Sequence, residues 1–385
     1  MANIIEYAIL NANKDFKTLP FSKIDGLIFA QLSYLNFDGI VPEIASQSQG
    51  VSLSEIAEHP DYNSLFPLPR TAENNKMLLN ALAYSKRYGN ILVNYYQNIL
   101  DNENDIQFSA VTFITDPDHA YIAFRGTDST IIGWKENFNM LFTSPVGSQK
   151  LSVPYVEKVA SKFNGEITLI GHSKGGNLAI YSGVMCSDDI KGKISEILCF
   201  DNPGFTEEFI NSEKYLKNEH KIVKFVPEES MIGMILNNRG SYRVIKSHGI
   251  GFFQHDPFMW QIENNDFVSG SRVFTRALII DDTFNDLVYG FEPHQRELFV
   301  ESLFNIIAET NGQNAATFGQ WAVNLRGNIP TMIDTLKDLD PDTRALMLKV
   351  LKHLFSTANG NMIATPKRIL RGKIKKIPRI PAIEL

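Results

Sequence analysis

The chain has 385 residues, 44% of them hydrophobic and 21% charged, the composition of a globular protein long enough to bury a sizeable core. A net charge of −6 and a pI near 5.8 argue against nucleic acid as its main partner. Its two cysteines, Cys186 and Cys199, provide neither a disulfide framework nor a metal-ligand spacing, and both fall in predicted helix or strand as packed thiols.

In chain order, Met1 to Tyr7 lacks a basic segment followed by an apolar run, so no secretory signal is expected. Residues 1–45 read as helical, with 27–37 as a buried helix. The apolar stretch over 26–37 is broken by Gln31 and Ser33 and is too short to span a bilayer, so a cytoplasmic protein is expected. A turn-rich loop (60–69) and a helix (71–87) come next. Three β-rich runs follow at 91–96, 108–114 and 120–124, the last two joined by a hairpin turn at Asp116-Pro117-Asp118. Beyond them the pattern alternates: helix 150–164, strand 167–170, helix 175–186, strands 195–200 and 221–226. That alternation predicts βαβ crossovers and a mostly parallel sheet entered through an antiparallel edge. After about residue 280 only helical patterns remain, at 285–309, 315–337 and 341–357. The expected organisation is a core over 1–280, a helical extension over 281–365 and a basic tail over 366–385.

The most informative segment runs from Glu166 to Gly183. A short apolar strand leads into Gly171-His172-Ser173-Lys174-Gly175-Gly176 and then a small-residue helix. Strand, sharp turn carrying a serine, and helix together are similar to the nucleophile elbow of α/β-hydrolases. The spacing has a chemical reason. A serine hydroxyl attacks a carbonyl only when it is held exposed beside a base. The turn that does this crowds strand against helix, so the flanking positions must lack side chains. In such enzymes the backbone N–H after the serine, here that of Lys174, is one donor to the oxyanion.

An upstream segment, Phe124-Arg125-Gly126-Thr127 followed by Trp134, combines with the elbow to resemble class 3 (fungal-type) lipases, over roughly residues 105–260. The resemblance implies an α/β-hydrolase fold, an acyl-enzyme mechanism and Thr127 as the second oxyanion-hole residue. The runs 132–140 and 253–257 look like those of an uncharacterised bacterial branch of lipase-like hydrolases. One departure is Lys174, where those lipases usually carry leucine. A cation at a helix N-terminus opposes the macrodipole, and Lys174 is expected either to draw in an anionic substrate or to extend its ammonium to solvent.

The base is expected downstream of the serine. His255 precedes Asp256-Pro257, which reads as a helix cap followed by proline at the first helical position; His248 is the second candidate. His220 and His294 sit in charged, surface-like contexts, and His353 also follows the serine. For the orienting acid, Asp201 directly follows a predicted strand. Glu229 is the alternative, because fungal-type lipases place an aspartate before a Val-Pro pair and here Lys224-Phe225-Val226-Pro227-Glu228-Glu229 has none.

Together these residues predict a serine hydrolase of carboxylic esters, small or lipid-like, using Ser173, His255 and Asp201 and needing no cofactor or metal. A non-catalytic binding or scaffold protein that retains a hydrolase core is the alternative. The tail from Pro366 to Pro381 carries seven cations and no acid. Its prolines forbid a long helix, and peripheral contact with an anionic membrane is expected of it. The oligomeric state is not legible in the sequence.

Overall fold

The computed structural model describes residues 2–273, apart from 69, 70, 129 and 142, together with isolated positions between 300 and 348. An eight-stranded sheet runs in strictly sequential order: β1 (Val51–Ser52), β2 (Leu92–Asp101), β3 (Ile106–Asp116), β4 (His119–Phe124), β5 (Glu166–His172), β6 (Ile194–Phe200), β7 (Ile222–Pro227) and β8 (Arg243–Ile245). Strands β1 to β4 pair antiparallel, and β4 to β8 pair parallel. The architecture is therefore α/β with a mostly parallel sheet and an antiparallel edge, as the alternation predicts.

Seven helices matter for placing the site: α1 (Ile4–Leu10), α2 (Lys23–Leu32), α3 (Leu53–Ala57), α4 (Ala72–Ala83), α5 (Ile131–Asn139), α6 (Gly147–Lys162) and α7 (Lys174–Met185). In a sequential parallel sheet, right-handed crossovers carry their helices to one face. That face is closed by Tyr155, Val156 and Val159 of α6 and Leu178 and Ile180 of α7, packed on Ile122, Phe124, Leu169 and Ile197. The opposite face cannot be covered by crossovers. The N-terminal segment covers it, with Leu27, Ile28 and Phe29 of α2 against Phe113, Tyr121, Ile170, Leu198 and Phe200. Strand residues of alternate parity therefore meet two different cores.

A buried polar cluster fastens this segment. Asp25 caps α2 through Ser22 and receives Arg87 Nη2 at 2.7 Å and the Tyr88 hydroxyl at 2.6 Å. Arg87 Nη1 also donates to the carbonyls of Lys14 and Leu19, closing the loop between α1 and α2.

Several details depart from the sequence expectations. The helix expected over 27–37 ends at Leu32, where Ser33 turns the chain and donates to Ala30 O. β1, β8 and α5 carry too few residues or too little periodicity to be predicted. The extension over 281–365 and the tail over 366–385 lie outside the described residues. The exceptions are single helical positions such as Val300 and Phe304, both buried; the Phe304 ring meets Phe138 edge-on at 5.7 Å. Among the described residues no helix is long and apolar enough to cross a membrane.

Candidate active site

β5 ends at His172 and α7 begins at Lys174, so Ser173 alone makes the turn. Its backbone sits at φ 57°, ψ −134°, a region that L-residues rarely adopt. The glycines around it are required by space. A Cβ on Gly171 would lie 2.1 Å from the Gly175 carbonyl carbon, and one on Gly175 would lie 2.1 Å from Phe124 O. The Ser173 N–H donates to Phe200 O at 2.9 Å, continuing the ladder towards β6.

Asp201 leaves β6 one residue later, at φ 46°, and is fully buried. Each of its oxygens has a separate partner. Oδ2 meets His255 Nδ1 at 2.6 Å, while Oδ1 accepts the Ser230 hydroxyl and the Gly233 N–H at 3.1 Å. His255 closes a short 3₁₀ turn (Gly251–His255), and a second turn (Pro257–Met259) follows, capped by Asp256 with proline at its first position. The cap and proline are where the sequence puts them, but they open a three-residue turn instead of a helix.

Glu229, the alternative acid, does something else. Its Oε2 accepts the Gly251 N–H at 2.5 Å, and its own N–H donates to Gln254 Oε1 at 2.9 Å. It is thus a strut for the loop that carries His255. The same loop exposes Ile250 and Phe253, at 65% and 59%. His248 and His220 are exposed at the surface, whereas His294 and His353 lie outside the described residues.

The two expectations for Lys174 are corrected. The ammonium is 1% exposed and reaches neither solvent nor an external anion. Its three hydrogens go to Gln107 O at 2.6 Å, Gln107 Oε1 at 2.7 Å and Glu136 Oε2 at 2.8 Å. Glu136 is equally buried, and it also accepts the Gln107 N–H at 3.1 Å and the Ser148 N–H at 2.7 Å. One carboxylate on α5 therefore ties together β3, the start of α6 and the start of α7. Two charges can be buried this way because all three ammonium hydrogens and both carboxylate oxygens have partners.

Thr127 stands between β4 and α5, half-buried. Asn137 Nδ2 donates to its Oγ1 at 2.5 Å, which leaves the threonine hydrogen available to another acceptor. Sequence reasoning did not find Glu136, Asn137, Ser230 or Gly233. For Glu136 a signal existed: a lysine at the start of a buried helix demands a buried carboxylate. For the other three no local pattern marks the contact.

His172 is buried beside His255, with ring centroids 4.4 Å apart. Burial, and secondarily the neighbouring His255, hold its pKa well below the usual imidazole range, so the ring is neutral.

The Mbeg1-like family profile matches residues 82–305, more than half of the chain. Among solved structures, a native Rhizomucor miehei lipase propeptide complex is similar at 16% identity over 51% of this chain and 70% of its own, with a TM-score of 0.33. The M37 lipase is similar at 13% identity over 87% of this chain and 99% of its own, also at 0.33. Scores this low carry no argument about the site. No curated protein sequence matches the chain.

Proposed function

We propose that this chain, which belongs to the Mbeg1-like family, is a serine hydrolase of carboxylic esters. The observation that carries the reading is the contact of His255 Nδ1 with Asp201 Oδ2 at 2.6 Å, made beside His172, the residue that precedes a serine held at φ 57°. An imidazole whose Nδ1–H is held by a buried carboxylate presents Nε2 as a base. The strained turn keeps the Ser173 hydroxyl clear of its own strand and helix.

In the proposed cycle Ser173 Oγ attacks the ester carbonyl while His255 Nε2 takes its proton. The imidazolium then protonates the leaving alkoxide, and water repeats the sequence to release the acid. Asp201 orients the imidazole through Oδ2, while Ser230 and Gly233 donate to Oδ1, the oxygen that His255 does not use. The Lys174 N–H and the Thr127 hydroxyl are the proposed oxyanion donors, the latter aimed by Asn137. Lipid-like acyl groups are the favoured class, since Ile250 and Phe253 expose apolar surface on the turn that carries the base.

A fluorophosphonate probe and short p-nitrophenyl esters test this directly. Wild-type protein is expected to label and to turn over, and Ser173→Ala to lose both, by about 10³-fold or more in kcat. Asp201→Asn is expected to lower turnover by orders of magnitude at neutral pH, and Glu229→Gln to have a mild effect. Wild-type protein that neither labels nor cleaves overturns the proposal in favour of a binding role; the reverse order of the two acid variants overturns the assignment of Asp201.

A further inference from the structure

Two groups next to the proposed site are used neither for attack nor for charge stabilisation: the half-buried Tyr34, just beyond α2, and the buried His172, the last residue of β5. Their contacts form a directed chain. The His172 Nε2 atom lies 2.8 Å from the backbone oxygen of His255. A carbonyl only accepts, so Nε2 must carry the ring proton. Nδ1 is then a lone pair, and it accepts the Tyr34 hydroxyl at 2.9 Å. The Tyr34 hydroxyl in turn packs against Gly126. The packing at that point is tight: a Cβ on Gly126 would lie 2.0 Å from Tyr34 Oη and 2.8 Å from His172 O.

Both hydrogen bonds of this chain have a fixed direction, and its Tyr34 end is packed on Gly126. It begins at Gly126, one residue before Thr127, passes the residue that precedes Ser173, and ends on the backbone of His255. Those are the three places from which the proposed chemistry is assembled, and they come from separate parts of the sequence. Tyr34 is 138 residues from His172, and His172 is 83 from His255.

We infer that Tyr34 and His172 are positioning residues that lock the His255 backbone and the Gly126–Thr127 strand end into one register around Ser173. The inference rests on reading His255 as the base. The physical need is clear from the local structure. His255 closes a short 3₁₀ turn, an element that by itself holds a side chain poorly. Asp201 fixes one ring nitrogen and Glu229 braces the start of the turn at Gly251, and neither of these contacts reaches the His255 carbonyl. A hydrogen bond to that carbonyl from a rigid strand end holds it. A neutral donor suits the task, since a second imidazolium 4.4 Å away would oppose the one that forms on His255 during turnover.

The test uses the full chain labelled with ¹⁵N-histidine, together with Tyr34→Phe, His172→Gln and His172→Leu. In wild-type protein the His172 ring is expected to stay neutral and protonated on Nε2 from pH 8 down to pH 5. A ring protonated on Nδ1, or one that titrates in that range, overturns the inference whatever the activity. Esterase kinetics supply the second readout. Tyr34→Phe keeps the shape of the ring and removes the donor, and is expected to lower kcat by about 10-fold with KM within about 2-fold; His172→Leu is expected to cost about 100-fold. His172→Gln retains an N–H at the Nε2 position and is expected to recover most of that loss. Folded, active protein in which Tyr34→Phe keeps wild-type kcat overturns the inference alone. Wild-type protein without esterase activity overturns the reading of the site and this inference with it, while the ¹⁵N spectrum still reports whether the hydrogen-bond chain is as described.

Discussion

Replacing Lys174 with methionine leaves the Glu136 carboxylate buried without its cation. The side chains are of similar length, so the change removes charge and three hydrogen bonds more than volume. Breaking a buried pair from one side costs about 3–5 kcal/mol, a large share of a typical stability of about 5–15 kcal/mol. Glu136→Gln strands the ammonium at a similar cost. It adds about 1–3 kcal/mol, because the amide can accept from only one of the two N–H groups, those of Gln107 and Ser148, that the carboxylate serves. The double variant Lys174→Met with Glu136→Gln removes both charges and keeps that last penalty of about 1–3 kcal/mol, with a similar one for the two Gln107 oxygens that the ammonium served. The two singles therefore sum to about 7–13 kcal/mol against about 2–6 for the double, a coupling far above the few tenths expected of independent sites. Urea unfolding followed by circular dichroism measures all four species. A double loss far smaller than the sum of the singles is the decisive result, and it should persist at 1 M salt because solvent ions do not screen a pair 1% exposed. Additive losses, or a Lys174→Met protein within 1 kcal/mol of wild type, would refute the account of this pair.

Gly233→Ala is expected to lower kcat by about 100-fold and to cost about 1–3 kcal/mol of stability, because the new Cβ would sit 2.6 Å from both Asp201 Oδ1 and Ser230 Oγ; unchanged kcat would show that the carboxylate is not held from that side. Lys224 is buried on β7, and burial pushes its ammonium down to about 8 from the usual 10.5. The folded value lies below the unfolded one, so the cost is complete below pH 8 and relieved as the pH rises to 10.5. Lys224→Met is accordingly expected to be more stable than wild type at pH 7, by on the order of 2–3 kcal/mol after allowing for the lost bond to Arg239 O. That advantage should shrink between pH 8 and 10.5, and unfolding curves that stay parallel across this range would count against it.

The elbow is legible in the sequence because its causes are local. Gly171 is forced by the contact between a strand and the helix one residue beyond it, Gly175 by the neighbouring strand at Phe124, and Gly176 by Gly171 O and Asn202. The alternation of elements over 150–226 likewise follows from side chains that must face one core or the other. What could not be read was anything that depends on which loops come together at the carboxyl ends of the strands. Asp201 and Glu229 both follow strands and both suit the role of acid. Only the folded chain brings His255, 54 residues away, onto Asp201, and turns Glu229 towards the Gly251 N–H. The same holds for Lys174. As a sequence feature it is a cation at the wrong end of a helix; in the fold it meets Glu136 from a helix whose weak periodicity conceals it. Hydrogen bonds between such distant residues depend on displacements of an ångström or less, which are set by how β3, α5 and α7 pack together and by no pattern within any one of them.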